Sequence, residues 1–385
     1  MANTTSDFVV VGAGCFGAWT AQELLASGHS VTLLDAYGPA HSRASSGGES
    51  RVIRMGYGAD ELYTRWSASS LERWKTLAER TRQTVFHETG VLWLAGKNDI
   101  YTQESQKVLE RVGVRHERLS VRDVQARYPQ ISSEDIEWAL WEPGSGILMA
   151  RRSVQALVQD GIQRGLDYHL AHVVLPVTAA RGRLTRVVLH TGEVIAGGTF
   201  VFACGAWLPK VFPDVLAGRI FPTRQEIFFF APPPGDTSFN CDSMPVWLRH
   251  DALVYGMPDL ENRGVKISVD EHGPPCDPDT VLRVPTAEGI ALAREHLSKR
   301  FPKLKDAPLS ETRVCQYENT SNGDFLIDRH PELEDVWIAG GGSGHGFKHG
   351  PAVGDYVKQM VTNASVPEPR FSLTSKATTK TRAVF

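Results

Sequence analysis

Gly12, Gly14 and Gly17 stand in a GxGxxG spacing within Gly12-Ala13-Gly14-Cys15-Phe16-Gly17, and Asp35 follows 18 residues after Gly17. The first glycine permits a tight turn, the second lets the backbone approach a pyrophosphate, and the third allows close helix–strand packing. A helix opening at such a turn offers free N–H groups and partial positive charge to phosphates. A carboxylate at position 35 can accept hydrogen bonds from ribose hydroxyls. The chemistry implied is dinucleotide binding. An acid rather than an arginine at 35 argues against NADP, while FAD and NAD remain open at this point. Arg51 and Arg54 stand three residues apart. A guanidinium fork grips a carboxylate in two places, although the spacing of Arg51 and Arg54 also suits a solvated surface.

The elements that must position these residues follow the hydrophobic pattern. Residues 7–11 form an apolar β-branched run of the kind found in buried parallel strands. A helix is expected over 18–26, stopped by Ser27-Gly28, and a second apolar run spans 31–34 and ends in Asp35. Together they make one βαβ unit of about 30 residues. Helices are predicted over 60–80 (with Leu62, Trp66, Leu71 and Trp74 on one face), 102–128, 153–164, 285–300 and 351–362. Strands are predicted in 182–203, with a turn at Thr191-Gly192, and in 219–270. In Gly264-Val265-Lys266-Ile267-Ser268-Val269-Asp270 the apolar residues alternate with polar ones, as in a strand with one buried face. The last 20 residues are polar and are expected to form a loose tail.

Bulk properties exclude several classes. The 385 residues suffice for two domains. Apolar residues at 42%, charged residues at 22% and a net charge of −3 are ordinary for a globular protein and give no sign of a nucleic-acid partner. No apolar run is long enough for a membrane span, and the polar N-terminus lacks the basic start of a signal peptide. Five scattered cysteines (Cys15, Cys204, Cys241, Cys276 and Cys315) form no CxxC pair. No metal site is expected, and a reducing, cytoplasmic setting fits best.

Four further segments sharpen the picture: Ser46-Gly47-Gly48-Glu49-Ser50-Arg51-Val52-Ile53-Arg54; Cys204-Gly205-Ala206-Trp207; Arg313 to Thr320, containing Cys315-Gln316-Tyr317 and continuing through Asp328-Arg329-His330-Pro331; and Gly342-Ser343-Gly344-His345-Gly346-Phe347-Lys348. In this order they resemble the monomeric sarcosine oxidase and N-methyltryptophan oxidase family, within the D-amino-acid-oxidase-like flavoproteins. The resemblance covers nearly the whole chain. It implies an α/β fold with a Rossmann-type FAD-binding domain (1–82, 146–217 and 318–385) and a discontinuous substrate domain (83–145 and 218–317) on a large mixed or antiparallel sheet.

The resemblance also implies FAD as cofactor, attached covalently through the sulfur of Cys315. It extends the cofactor contacts beyond Gly12, Gly14, Gly17 and Asp35 to Phe16, Ser50, Arg51, Val174, Gly205, Trp207, Gly342, Gly344, His345, Gly346, Phe347 and Lys348. The bare glycines of 340–346 suit a planar ring lying against backbone, and the helix beyond Pro351 would aim its N-terminus at the negative charge of reduced flavin. By resemblance, Arg54 and Lys348 bind the substrate carboxylate, Tyr255 lines the substrate pocket, Arg51 lies near the flavin, and Lys266 promotes its reaction with oxygen. The implied activity is oxidation of a secondary or N-methylated amino acid to an imine, with oxygen reduced to hydrogen peroxide, by a monomer. No general base is evident, and a substrate bound as neutral amine needs none.

Two departures from the family touch the substrate side: Ser46 and Gly47 replace histidines, and Val269 and Asp270 stand where another histidine is expected. They put sarcosine itself in question while leaving the flavin chemistry intact. A competing reading is a dehydrogenase or oxidase of another amine using a different electron acceptor. A third is a non-catalytic flavin-binding protein.

Overall fold

The computed structural model describes residues 5–179 and 182–378. The polar N-terminus through Thr4 and the final stretch from 379 lie outside them. The Ser6–Val11 strand is almost wholly buried and pairs in parallel with Val31–Asp35 on one side and Val194–Phe202 on the other. The sheet continues outward in parallel through Asp167–Leu170 beyond the former and Val336–Gly340 beyond the latter. Leu326–Arg329 closes it antiparallel on Val336–Gly340. Burial on both faces explains why the first strand reads as a continuous apolar run rather than an alternation.

The predicted GxGxxG mechanics are visible in the backbone. Gly12 adopts φ +107°, and a Cβ there would lie 2.4 Å from the Ala203 carbonyl oxygen. A Cβ on Gly17 would lie 1.8 Å from the Gly12 carbonyl oxygen, so the Cys15–Ala26 helix sits as close to the strand as the third glycine permits. The Gly350–Val361 helix packs on the same helix. Gly350 and Gly354 leave room there for Cys15 and Trp19.

A second, eight-stranded sheet runs in the order Leu309–Thr320, Ile220–Phe230, Val265–Val269, Val254–Met257, Val246–Arg249, Val91–Ala95, Trp138–Glu142, Glu117–Ser120. Its pairings are antiparallel except that between Val246–Arg249 and Val91–Ala95, so the sheet is mixed. A small sheet of Arg51–Ile53, Gly146–Leu148 and Phe86–His87 lies apart from both.

Three expectations need correction. The predicted 102–128 helix is two helices, Ile100–Val112 and Val121–Arg127, separated by the Glu117–Ser120 strand. Gly113 ends the first in a left-handed conformation, and Ser120 starts the second with a reciprocal capping box to Asp123. The Val265–Val269 strand is buried on both faces. Val265 and Ile267 join an apolar cluster with Phe228 and Trp247, whereas the face bearing Lys266 and Ser268 is enclosed by polar partners. The tail is docked at least to its last described residues. Phe371 is fully buried, Arg370 pairs with Asp60 at 2.7 Å, and Lys376 donates to Asn322 Oδ1 at 2.9 Å. On the 61–81 helix, Leu71 and Trp74 are buried as expected, while Leu62 and Trp66 are half-buried.

Candidate active site

The carboxyl ends of the parallel strands open into a cleft of about 550 Å³. It is lined by Gly12 and Gly14 after the first strand, Asp35 ending the second, Ala203 to Trp207 after Val194–Phe202, and Gly342, Gly344 and Gly346 after Val336–Gly340. This is where open α/β sheets bind ligands, and the volume falls within the range of cofactor pockets. Phe16 and Phe347 complete one end. Tyr37, His41 and Trp207 form an aromatic wall, their rings 4.9–6.3 Å apart.

Asp35 is already engaged. One carboxylate oxygen accepts from Ala13 N at 2.7 Å, and the other accepts from Tyr37 N and Gly38 N at 2.8 Å. An ionised carboxylate has about four lone-pair sites, so one acceptor position is left for a ribose hydroxyl. The residue therefore fastens the glycine turn to the strand end as well as facing the cleft. Glu318, not expected from sequence, also lines the cleft, and its Oε2 is buried without a partner. Burial lifts its carboxyl to about 7, against the opposing N–H groups of Gly342 and Gly341.

A smaller cavity of about 60 Å³ adjoins the cleft, and Arg51, Tyr317, Gly344 and Phe347 line both. Arg54, Lys348 and Tyr255 line the smaller one, with His345, Trp93, His250 and Asp270. Arg54 and Lys348 are both buried. The Arg54 guanidinium lies over the rings of Tyr57 and Trp93 at 4.4 and 4.8 Å and donates to the Gly56 carbonyl. Lys348 Nζ donates to the Tyr57 hydroxyl at 2.8 Å and the His345 carbonyl at 2.9 Å. Burial, and then the neighbouring Arg54, push its ammonium well below the ordinary lysine range. An arriving carboxylate reverses that bias, because an opposite charge favours the ionised form.

Behind the shared wall, Arg51 donates to Ser45 O at 2.7 Å and Ser50 O at 2.8 Å, and its Nη2 lies 3.7 Å from Cys315 Sγ. Lys266 Nζ donates to Ser50 O at 3.0 Å and Ser50 Oγ at 3.3 Å and stands 5.8 Å from the Tyr255 ring. Burial, and then Arg51, depress its ammonium strongly.

Most residues predicted for the site therefore lie on or directly behind the two cavities, but several have other placements. Val174 is 42% exposed, and Val173, Leu175 and Pro176 line the cleft in its place. Gly17 acts through packing alone. Ser50 serves Lys266. His345 and Lys348 face the smaller cavity rather than the cleft. Tyr57, Trp93, Glu142, Tyr317 and Glu318 carry the site without having been expected there. Tyr57 lies between two glycines in Gly56-Tyr57-Gly58, which was a usable signal; the others lie in strands whose pattern reads as core.

The residues present suit FAD. The glycine turn admits a phosphate-bearing backbone approach, the cleft is lined from Asp35 to the Gly342–Phe347 loop, and Cys315, which lines neither cavity, has its sulfur 3.7 Å from Nη2 of Arg51 in their shared wall. The sequence matches the description of the DAO family, FAD dependent oxidoreductase, over residues 7–360. It is 29% identical to a monomeric sarcosine oxidase of Streptomyces avermitilis, over 95% of this chain and 96% of that protein. It is 26% identical to an N-methyl-L-tryptophan oxidase of Yersinia pestis, over 91% and 93%. Among solved structures, an L-proline dehydrogenase from P. horikoshii superposes with a TM-score of 0.83, at 22% identity, over 96% of this chain and 97% of that one. On the match of its sequence and the agreement of its fold, the chain belongs to the DAO family of FAD-dependent oxidoreductases.

Proposed function

We propose that this enzyme oxidises a secondary or N-methylated amino acid to an imine and passes the electrons to oxygen, giving hydrogen peroxide. The observation that carries this reading is the buried Arg54–Lys348 pair in a small cavity that shares four wall residues with the cofactor cleft. A carboxylate held there lies within reach of a group bound in the cleft. Bound FAD supplies the redox chemistry; the protein supplies position and field. Arg54 and Lys348 orient the substrate by its carboxylate, and Tyr255 bounds its space. Arg51 brings positive charge to the wall shared by the two cavities, and Lys266, buried beyond it on Ser50, assists the reaction with oxygen. The sarcosine and N-methyl-L-tryptophan oxidases among the relatives support the substrate class.

The same reading assigns Cys315 as the covalent flavin attachment, residues 1–82, 146–217 and 318–385 to the FAD-binding domain, and 83–145 and 218–317 to the substrate domain. It takes the enzyme to be a cytoplasmic monomer; five free cysteines agree with a reducing compartment. No described helix is long and apolar enough to cross a membrane.

The test is a peroxide assay over N-methyl, cyclic and primary amino acids, with acid precipitation of the protein. Peroxide from a secondary amino acid and a yellow pellet that turns colourless in C315A are expected. Absence of peroxide with every amine tested overturns the activity. A colourless wild-type pellet overturns the attachment. In K266M, reoxidation by oxygen should slow far more than flavin reduction; equal slowing of both counts against the role given to Lys266.

A further inference from the structure

Asp270 follows the Val265–Val269 strand and lines the same small cavity as Arg54 and Lys348. Tyr317 donates its hydroxyl hydrogen to Asp270 Oδ1 at 2.6 Å. Asp270 N donates to the Leu253 carbonyl at 2.6 Å, which fixes the residue at the cavity wall. Burial raises the proton affinity of the carboxylate to about 6, against the Tyr317 hydrogen bond and the through-space pull of Arg54, Lys348 and Lys266, which favour its ionised form. Tyr255 on the adjacent strand has Arg51 and Cys315 beside it, and Arg249, His250 and His345 also line the cavity.

This arrangement has two poles. A ligand that is only an anion gains from Arg54 and Lys348 but meets the repulsion of Asp270. A ligand with a carboxylate and a cationic nitrogen satisfies both, because a buried carboxylate gains most from a charged donor. A cavity of about 60 Å³ further favours a compact molecule. We propose that Asp270 determines specificity by holding the ammonium of a small zwitterionic secondary amino acid whose carboxylate lies on Arg54 and Lys348. This deepens the amine-oxidase reading and rests on it. The form recognised is the cation, which passes one proton to the Asp270 carboxylate to give the neutral amine before the C–H bond next to nitrogen is oxidised.

The experiment compares isosteric pairs on the holoenzyme: sarcosine with methoxyacetate, and L-proline with tetrahydrofuran-2-carboxylate. Each pair differs in nitrogen against oxygen. Affinity for the amine is read from the concentration dependence of anaerobic flavin bleaching, and affinity for the ether from perturbation of the flavin spectrum. D270N should weaken the amine about tenfold or more while leaving the ether unchanged or tighter. Y317F, which keeps the charge, should retain the preference for the amine. D270S serves in the same comparison if D270N yields no holoenzyme. An equal loss for both members of a pair, or no loss for either, overturns the role of Asp270 alone. If neither amine bleaches the wild-type flavin and neither ether perturbs it, the amine-oxidase reading falls and this assignment with it.

Discussion

The Tyr57 hydroxyl receives a hydrogen bond from Lys348 Nζ at 2.8 Å, while the Arg54 guanidinium lies 4.4 Å from the centre of the same ring. One side chain thus ties together two cations contributed by segments almost 300 residues apart. The hydroxyl is itself fastened to His349 Nε2 at 2.7 Å. Burial and then Lys348 push the His349 imidazole well below its ordinary range, so it stays neutral and can accept from Tyr57.

Y57F should loosen Lys348 while leaving the ring under Arg54. A lost hydrogen bond to a charged group is worth about 1.5–3 kcal/mol. KM for a carboxylate-bearing substrate should rise roughly tenfold or more, with kcat changed much less. Steady-state kinetics check this; a fall in kcat with KM unchanged would contradict the positioning role.

Glu142 is almost fully buried and accepts hydrogen bonds from Met55 N, Gly56 N, Trp93 Nε1 and Ser145 Oγ, at 2.7–3.0 Å. It therefore holds the turn that follows Arg54. E142A strands four donors, and each buried unsatisfied group costs about 1–3 kcal/mol. Thermal unfolding should show a loss of about 3 kcal/mol or more, with relaxation of water into the gap limiting it.

Glu318 gives the cofactor-free protein a pH signature. Its folded proton affinity is raised to about 7, so the folded state binds the proton more tightly than the unfolded chain. The associated stability is complete at low pH, below the ordinary carboxylate range, and is lost as pH climbs toward 7. E318Q should thus raise the melting temperature at pH 8, by the equivalent of about 1–3 kcal/mol after allowance for partial exposure. Near pH 4.5 the difference should nearly vanish. Calorimetry of protein expressed without flavin distinguishes this from a uniform shift.

G12A places a side chain at φ +107° and 2.4 Å from the Ala203 carbonyl oxygen. Such strain costs about 1–3 kcal/mol and displaces the tight turn on which the phosphate-binding backbone depends. Flavin per chain, read from the ratio of visible to ultraviolet absorbance, should fall roughly tenfold.

The dinucleotide half of this site was legible because its chemistry is local. Gly12, Gly14, Gly17 and Asp35 lie within one βαβ unit, and their spacing maps directly onto a turn, a helix start and a strand end. Lys266 and Cys315 were reachable through resemblance, since the strands that carry them have a recognisable order of residues. Glu142 and Glu318 were not, because what makes them matter is long-range: Glu142 acts on a turn 86 residues earlier in the chain, and Glu318 is buried against the N–H groups of Gly341 and Gly342. The helix expected over 102–128 failed for the opposite reason. A left-handed Gly113 and a capping box at Ser120 are local signals, and a polar amphipathic pattern on both sides obscured them. Asp270 was noticed as a departure, but its meaning depended on finding Arg54 and Lys348 in the same cavity.

The central claim is that a secondary amino acid, held in the small cavity, reduces flavin in the adjoining cleft and that oxygen takes the electrons. Rapid anaerobic mixing of the holoenzyme with sarcosine, L-proline and N-methyl amino acids of increasing size tests it directly. Loss of the visible flavin absorbance with at least one of them, a marked slowing of that loss in R54A, and one equivalent of peroxide on admitting oxygen are the predicted results. Flavin that stays oxidised with every amine, or bleaches equally well in R54A, would contradict it.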